Sequence, residues 1–347
     1  MTKPSGYGLR QMLNADAHTH FVARTAGSAA SESESQRVLA ADWSKALVAI
    51  TFDLEMSMHY PIWDQMEWNY EKGLLDKASI DYTVEAARRV KASGGRMHDF
   101  VVARVTEEED VDWLQQLHAE GHHFGNHTYD HVYIRATKLE DIQPRFRRAP
   151  WLVYGKEPSQ IIRENIELAE RAVRTRLGFS LEGFRAPGGF ADGIETRPDV
   201  QLMLMSLGYD WVCTKYPKHP ITPRGGKPTA EIIRGIVESQ KAAQPFVYPS
   251  GLIEVPTSPV TDVVTFRACG WSLADFKQII RECLDWAIDN RAAFDFTCHP
   301  SVSNVVDPGF ETLEMVLETI RKAGDRVAVV DLGTLAKRAK LRENAAA

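Results

Sequence analysis

From Asp42 onward, short apolar runs alternate with stretches of helical periodicity, and this alternation restricts the chain to few folds. A run of about four to eight apolar residues bounded by charge, Gly or Pro reads as a buried strand, and a longer amphipathic stretch as a helix. Residues 46–52, 96–103, 251–256 and 293–298 read as strands, and residues 82–91, 110–119, 161–177 and 273–290 as helices. Residues 307–323 and 327–337 close the pattern with a helix, a strand and a short helix. Strands that alternate with helices make a parallel sheet, and about seven such units close it into a barrel. At 347 residues the chain could hold two average domains. Barrels of about 250 residues or more are nonetheless routinely single. We therefore expect one barrel domain over residues 42–340, preceded by a polar extension or loose cover at 1–41. No internal repeat or low-complexity tract is visible.

Four segments carry chemistry. The apolar run 46–52 gives way to Asp53 and Glu55, placing two acids at the carboxyl end of a buried strand. Barrels and open α/β folds put their chemistry at that end. Alternation along a strand puts Asp53 and Glu55 on one face and turns Leu54 away. The plainer reading is a helix-capping Asp53 and a solvated Glu55. Residues 121–131 carry His127 and His131 four apart. That spacing is close to one helical turn, so both imidazoles would leave one face and grip one ion, although such pairs also occur on solvated helices. In residues 183–190, Arg185 precedes Ala186-Pro187-Gly188-Gly189. Such a tight loop lets a guanidinium hold a carboxylate while the backbone at Pro187 and Gly188 approaches a ligand, or it is simply a turn. The strand 293–298 ends at His299, which Pro300 follows. A lone His there could be a satisfied core residue. The four in sequence make coincidence a poor explanation.

On these segments the chain resembles the polysaccharide deacetylase family, also called the NodB-homology or carbohydrate esterase family 4 group. Thr51-Phe52-Asp53 resembles its first motif, residues 121–131 its metal-binding second, Arg185-Ala186-Pro187-Gly188 its third and Phe296-Thr297-Cys298-His299-Pro300 its last. The resemblance runs from about residue 45 to 300 in the family's order. It implies a distorted (β/α)7 barrel and a hydrolase of a non-peptide C–N bond, acting by N-deacetylation of an N-acetylated sugar or polysaccharide. It further implies Asp53 as catalytic base, Arg185 as the group orienting it, His299 as catalytic acid, and His127 and His131 as metal ligands. Two positions depart from the family. Leu54 stands where a second Asp usually ligates the metal, which leaves Glu55 as the nearest candidate. No fourth motif, the source of an Asp beside the acid His, is legible after residues 207–215. Asp295 shares a strand face with His299, but four residues of strand span about 13 Å. The partner of His299 is therefore unassigned.

Amide hydrolysis needs a polarised carbonyl, an activated water and a protonated leaving amine. Two His and a carboxylate suit a divalent ion, most simply zinc, with nickel, cobalt and iron also compatible. Tyr60, Trp63 and Trp68 follow the Asp53 strand at once. Flat rings there can stack on a sugar, with Trp63 foremost, or pack as a lid.

Composition excludes other classes. Asp and Glu number 47 against 41 Lys and Arg, a net charge of −6, which disfavours a nucleic-acid partner. An apolar fraction of 44% supplies a full core. No stretch is long and apolar enough to span a membrane. The first 25 residues lack the apolar centre of a secretory signal. The expectation is a cytoplasmic protein, which brings in a small soluble amide as a second substrate class. A silent carbohydrate-binding barrel is a third reading. The four cysteines form no Cys-x-x-Cys pair. Cys298 is a reactive thiol or, more simply, a small strand residue. Asp16-Ala17-His18-Thr19-His20 resembles the first metal motif of amidohydrolase barrels but lacks a buried strand ahead of it. Oligomeric state is not legible.

Overall fold

The computed structural model describes residues 34–56 and 67–346. Its centre is β1, Ala46–Leu54, buried at every position. Only a strand covered on both faces can carry so continuous an apolar run. Around it lie β2 His98–Val101, β3 His123–Asn126, β4 Phe184–Phe190, β5 Trp211–Lys215, β6 Phe246–Val247, β7 Ile253–Glu254, β8 Ala293–Cys298 and β9 Val327–Val329. They form one curled sheet in the order β6-β7-β5-β4-β3-β2-β1-β8, with β9 also against β1. Every pairing is parallel except the β6–β7 hairpin. Seven parallel strands, β7-β5-β4-β3-β2-β1-β8, thus make the distorted (β/α)7 barrel, and no ladder joins β7 to β8 among the described residues.

The two faces of β1 divide as period-two alternation requires. Val48, Ile50, Phe52 and Leu54 point outward into a cluster with the helices Lys77–Ala92, Leu273–Asp289 and Glu311–Ala323. Leu47 and Ala49 point inward with Phe100, Ile253, Val255 and Ala293. The next residues on the inner face are Thr51 and Asp53, so alternation alone brings Asp53 to the mouth of the barrel.

Element boundaries differ from the sequence reading in instructive ways. The strand expected at 251–256 pairs only over Ile253–Glu254. The helix expected from 307 begins at Glu311, and a separate short helix, Pro300–Val306, follows His299. The last helix is long, Leu332–Ala346. Within the stretch read as an extension, Glu34–Ala41 is helical.

Arg338 of the last helix fastens that first helix down. Its guanidinium donates to the carbonyls of Leu39, Ala40, Asp42 and Lys45 at 2.9, 3.2, 2.7 and 2.8 Å. A cation at a helix C-terminus satisfies carbonyls that have no intrahelical donor. Arg338→Met is expected to lower unfolding free energy by about 2–4 kcal/mol, because four backbone acceptors, one buried and three part-buried, lose a charged donor. Urea denaturation checks this; an unchanged midpoint would make the contact superfluous.

Candidate catalytic and metal centre

The site gathers where β1, β3, β4 and β8 end. Arg185, on β4 and buried, donates through Nη1 to Asp53 Oδ1 at 2.6 Å and to Thr51 Oγ1 at 3.0 Å. Its Nη2 donates to Asp295 Oδ2 at 2.6 Å, and the guanidinium lies 4.1 Å from the Phe100 ring centre. Thr51 Oγ1 donates in turn to Asp295 Oδ1 at 2.8 Å. Burial pushes the Asp53 carboxyl up, but the Arg185 charge outweighs it and holds Asp53 below the usual carboxylate range. Asp295, unable to reach His299, is the second anchor of Arg185. Sequence reasoning gave Asp295 no such role.

His127 and His131 do not sit on a helix, contrary to the reading from their spacing. The chain leaves β3 in a loop with Thr128 and His131 at φ 62° and 59°. A positive φ is a strained choice for a β-branched residue. Side chains hold the loop in place. Asn126 Oδ1 accepts from Thr128 N at 2.7 Å, Asn165 Oδ1 from Tyr129 N and Asp130 N at 2.9 Å, and Gln143 Nε2 donates to the His131 carbonyl at 3.0 Å. The loop still delivers the two rings 5.1 Å apart.

Glu55 completes the group. One ligand atom each from Glu55, His127 and His131 lie within 4.8 Å of one another. Leu54 is fully buried in the outer core, so it takes no part. His127 Nδ1 donates to the Arg185 carbonyl at 2.9 Å, which leaves the lone pair of Nε2 facing Glu55 Oε2 at 3.1 Å. His131 Nε2 is pressed against the same carboxylate yet makes no hydrogen bond. Lone pairs converging on a carboxylate oxygen repel one another unless a proton or a metal cation lies among them. Burial lowers the His131 pKa to about 4, keeping it a neutral donor. Burial works to raise the Glu55 carboxyl, but the surrounding His131, Lys72 and His127 groups hold it well below its usual value. The donor set therefore fits a divalent ion.

His299 stands across from Asp53, its Nε2 3.8 Å from Asp53 Oδ2 and 3.3 Å from Glu55 Oε1. Its unassigned partner is Asp262. Asp262 Oδ1 lies 2.8 Å from His299 Nδ1, and Oδ2 accepts the His299 backbone N–H at 2.6 Å. Burial works to lower the His299 pKa, but the Asp262 charge, its hydrogen bond and Glu55 raise it to about 10. Asp262 caps a π-helical turn, Val263–Cys269, a form concentrated at functional sites. The only trace in sequence was an isolated acid inside the apolar stretch 258–266.

The remaining expectations divide. Pro187 is buried, while Gly188 is exposed at φ 81° where β4 shifts register against β5. Tyr60 and Trp63 lie outside the described residues, as does the Asp16–His20 motif. All four cysteines are free and buried, and burial above all pushes the Cys298 thiol well up, consistent with a packing residue. Among the described residues no helix is long and apolar enough to cross a membrane.

A parallel barrel that faces an arginine-held carboxylate with an aspartate-held imidazole is an arrangement capable of general acid–base chemistry. The sequence model of the polysaccharide deacetylase family matches residues 41–210. The match covers just under half of the chain, which is similar to that family and is a hydrolase of carbon–nitrogen bonds other than peptide bonds. Solved structures agree on the fold. A protein assigned as a polysaccharide deacetylase from Mycobacterium smegmatis is 17% identical with a TM-score of 0.57, over 87% of this chain and 93% of that one. Another so assigned, from Pseudomonas aeruginosa PAO1, is 13% identical with a TM-score of 0.56, over 84% and 90%. The PuuE allantoinase is 13% identical with a TM-score of 0.53, over 84% and 89%. No curated protein matches the sequence.

Proposed function

We propose that this chain is a metal-dependent N-deacetylase of an N-acetylated sugar or polysaccharide. The observation that carries the reading is the convergence of Glu55, His127 and His131 beside both Asp53 and His299. A divalent ion held by these three, most simply zinc, would supply Lewis acidity to the amide carbonyl and lower the pKa of water. Asp53 accepts the water proton at Oδ2, since Arg185 occupies Oδ1. Asp262 fixes the His299 tautomer, so that the proton given to the departing amine leaves from Nε2. Because Oδ2 and Nε2 are 3.8 Å apart, both transfers take place at atoms bonded to one carbon. The backbone at Pro187 and Gly188, and the Trp63 ring, are proposed to line the sugar subsite. Residues 42–340 are proposed to form a single catalytic domain.

The likeness to an allantoinase supports a second substrate class on the same barrel, a small cyclic amide or ureide. Acetate release from N-acetylated sugars, measured with and without chelator, decides between them. Turnover that stops on chelation and returns with zinc supports the proposal. Turnover of allantoin-type rings without acetate release supports the second class, and no turnover of either points to a silent binding barrel.

A further inference from the structure

Lys72 belongs to none of the motifs and sits in the polar run Glu71-Lys72-Gly73, where a sequence reader expects solvent. It is instead buried, with its ammonium 3.1 Å from Glu55 Oε1 at 5% side-chain exposure for both partners. Met56 Sδ lies 3.2 Å from the same nitrogen. The adjoining Gly73 N–H donates to the Glu55 carbonyl at 2.9 Å, which ties this backbone to the exit of β1.

The two oxygens of Glu55 are thereby divided. Oε2 faces His127 and His131, while Oε1 faces Lys72 and His299. A carboxylate can bind an ion through one oxygen or both. Catalytic zinc sites keep a position open for water or substrate, and a second carboxylate oxygen would fill it. Burying a lysine beside a cation site is costly on both counts, since the ammonium is desolvated and repels the ion. Resting on the metal reading above, we propose that Lys72 holds Oε1 of Glu55 away from the ion and so keeps a coordination position open. Lys72 is a positioning residue that acts through Glu55. It also bears on how a glutamate can serve where the family usually has an aspartate, since the extra methylene gives the glutamate carboxylate more freedom to turn its second oxygen toward the ion, and that freedom must be restrained.

The test compares wild type with Lys72→Met, Lys72→Gln and Lys72→Arg, each loaded with cobalt. Lys72→Met should bind zinc and cobalt at least as tightly as wild type, because a repelling charge is gone and Oε1 loses one of the two groups that hold it, leaving only His299. Its cobalt visible absorption should weaken, as it does when coordination number rises, and kcat should fall about tenfold or more. Lys72→Arg, which keeps a cation on Oε1, should retain the wild-type spectrum. Lys72→Gln should fall between, and it carries the test should the Met protein fail to fold. Metal affinity tenfold weaker in folded Lys72→Met or Lys72→Gln would overturn the proposal, reducing Lys72 to a structural support of Glu55. An unchanged spectrum and rate would overturn it as well. Wild type that binds no cobalt would instead remove the metal reading beneath it.

Discussion

Asp53→Asn is expected to keep its metal and lose about 10²–10⁴-fold in kcat, the range that a positioned general base supplies. The substitution is nearly isosteric, and the amide oxygen can still accept from Arg185 Nη1, now at 2.6 Å from Oδ1. What disappears is the basic oxygen Oδ2 that faces His299. Arg185→Lys should also be damaging. Nη1 serves Asp53 and Thr51 while Nη2 serves Asp295, and one ammonium cannot span both carboxylates. Rates paired with metal content check the assignment. Metal loss in Asp53→Asn as large as in His131→Ala would make Asp53 a ligand and remove it as the base.

His299→Ala is expected to cost two or more decades in kcat, with bound metal near wild type, because the leaving amine then departs without its proton donor. Asp262→Asn extends the test to pH. Asp262 raises the His299 pKa, so its neutral replacement should lower that pKa. The protonated acid would then be lost at lower pH, and the alkaline limb of kcat should move down the pH scale. An Asp262→Asn profile with the wild-type alkaline limb would contradict the pairing. The double variant should be little worse than His299→Ala, since the two residues act as a unit.

The parts of the site legible in sequence were those set by strand geometry. The apolar run of β1 fixed which side chains face inward, so Asp53 and the turned-away Leu54 followed from alternation alone. His299 was legible because Pro300 ends its strand at the site. The His pair was found for a partly mistaken reason. Four-residue spacing suggested a helix, whereas the rings converge through a loop with two positive-φ residues, held by Asn126, Asn165 and Gln143. Those supports lie up to 36 residues away in sequence, the separation of Tyr129 from Asn165.

Asp262 and Lys72 were out of reach for a related reason. Each acts through a contact between distant segments, 37 residues from His299 in one case and 17 from Glu55 in the other, and neither sits in a periodic pattern. Asp295 was considered and set aside because distance along the strand ruled out His299. The across-barrel contact to Arg185, 110 residues away in sequence, appears only once the sheet curls.

Zinc titration of Glu55→Gln against wild type and His131→Ala tests the central claim most directly. Glutamine keeps the size of Glu55 but removes the charge that binds a hard or borderline cation. The account predicts one zinc per wild-type chain and a loss of affinity in Glu55→Gln comparable to that in His131→Ala. Unchanged affinity in Glu55→Gln would contradict it, placing the third ligand elsewhere than on Glu55.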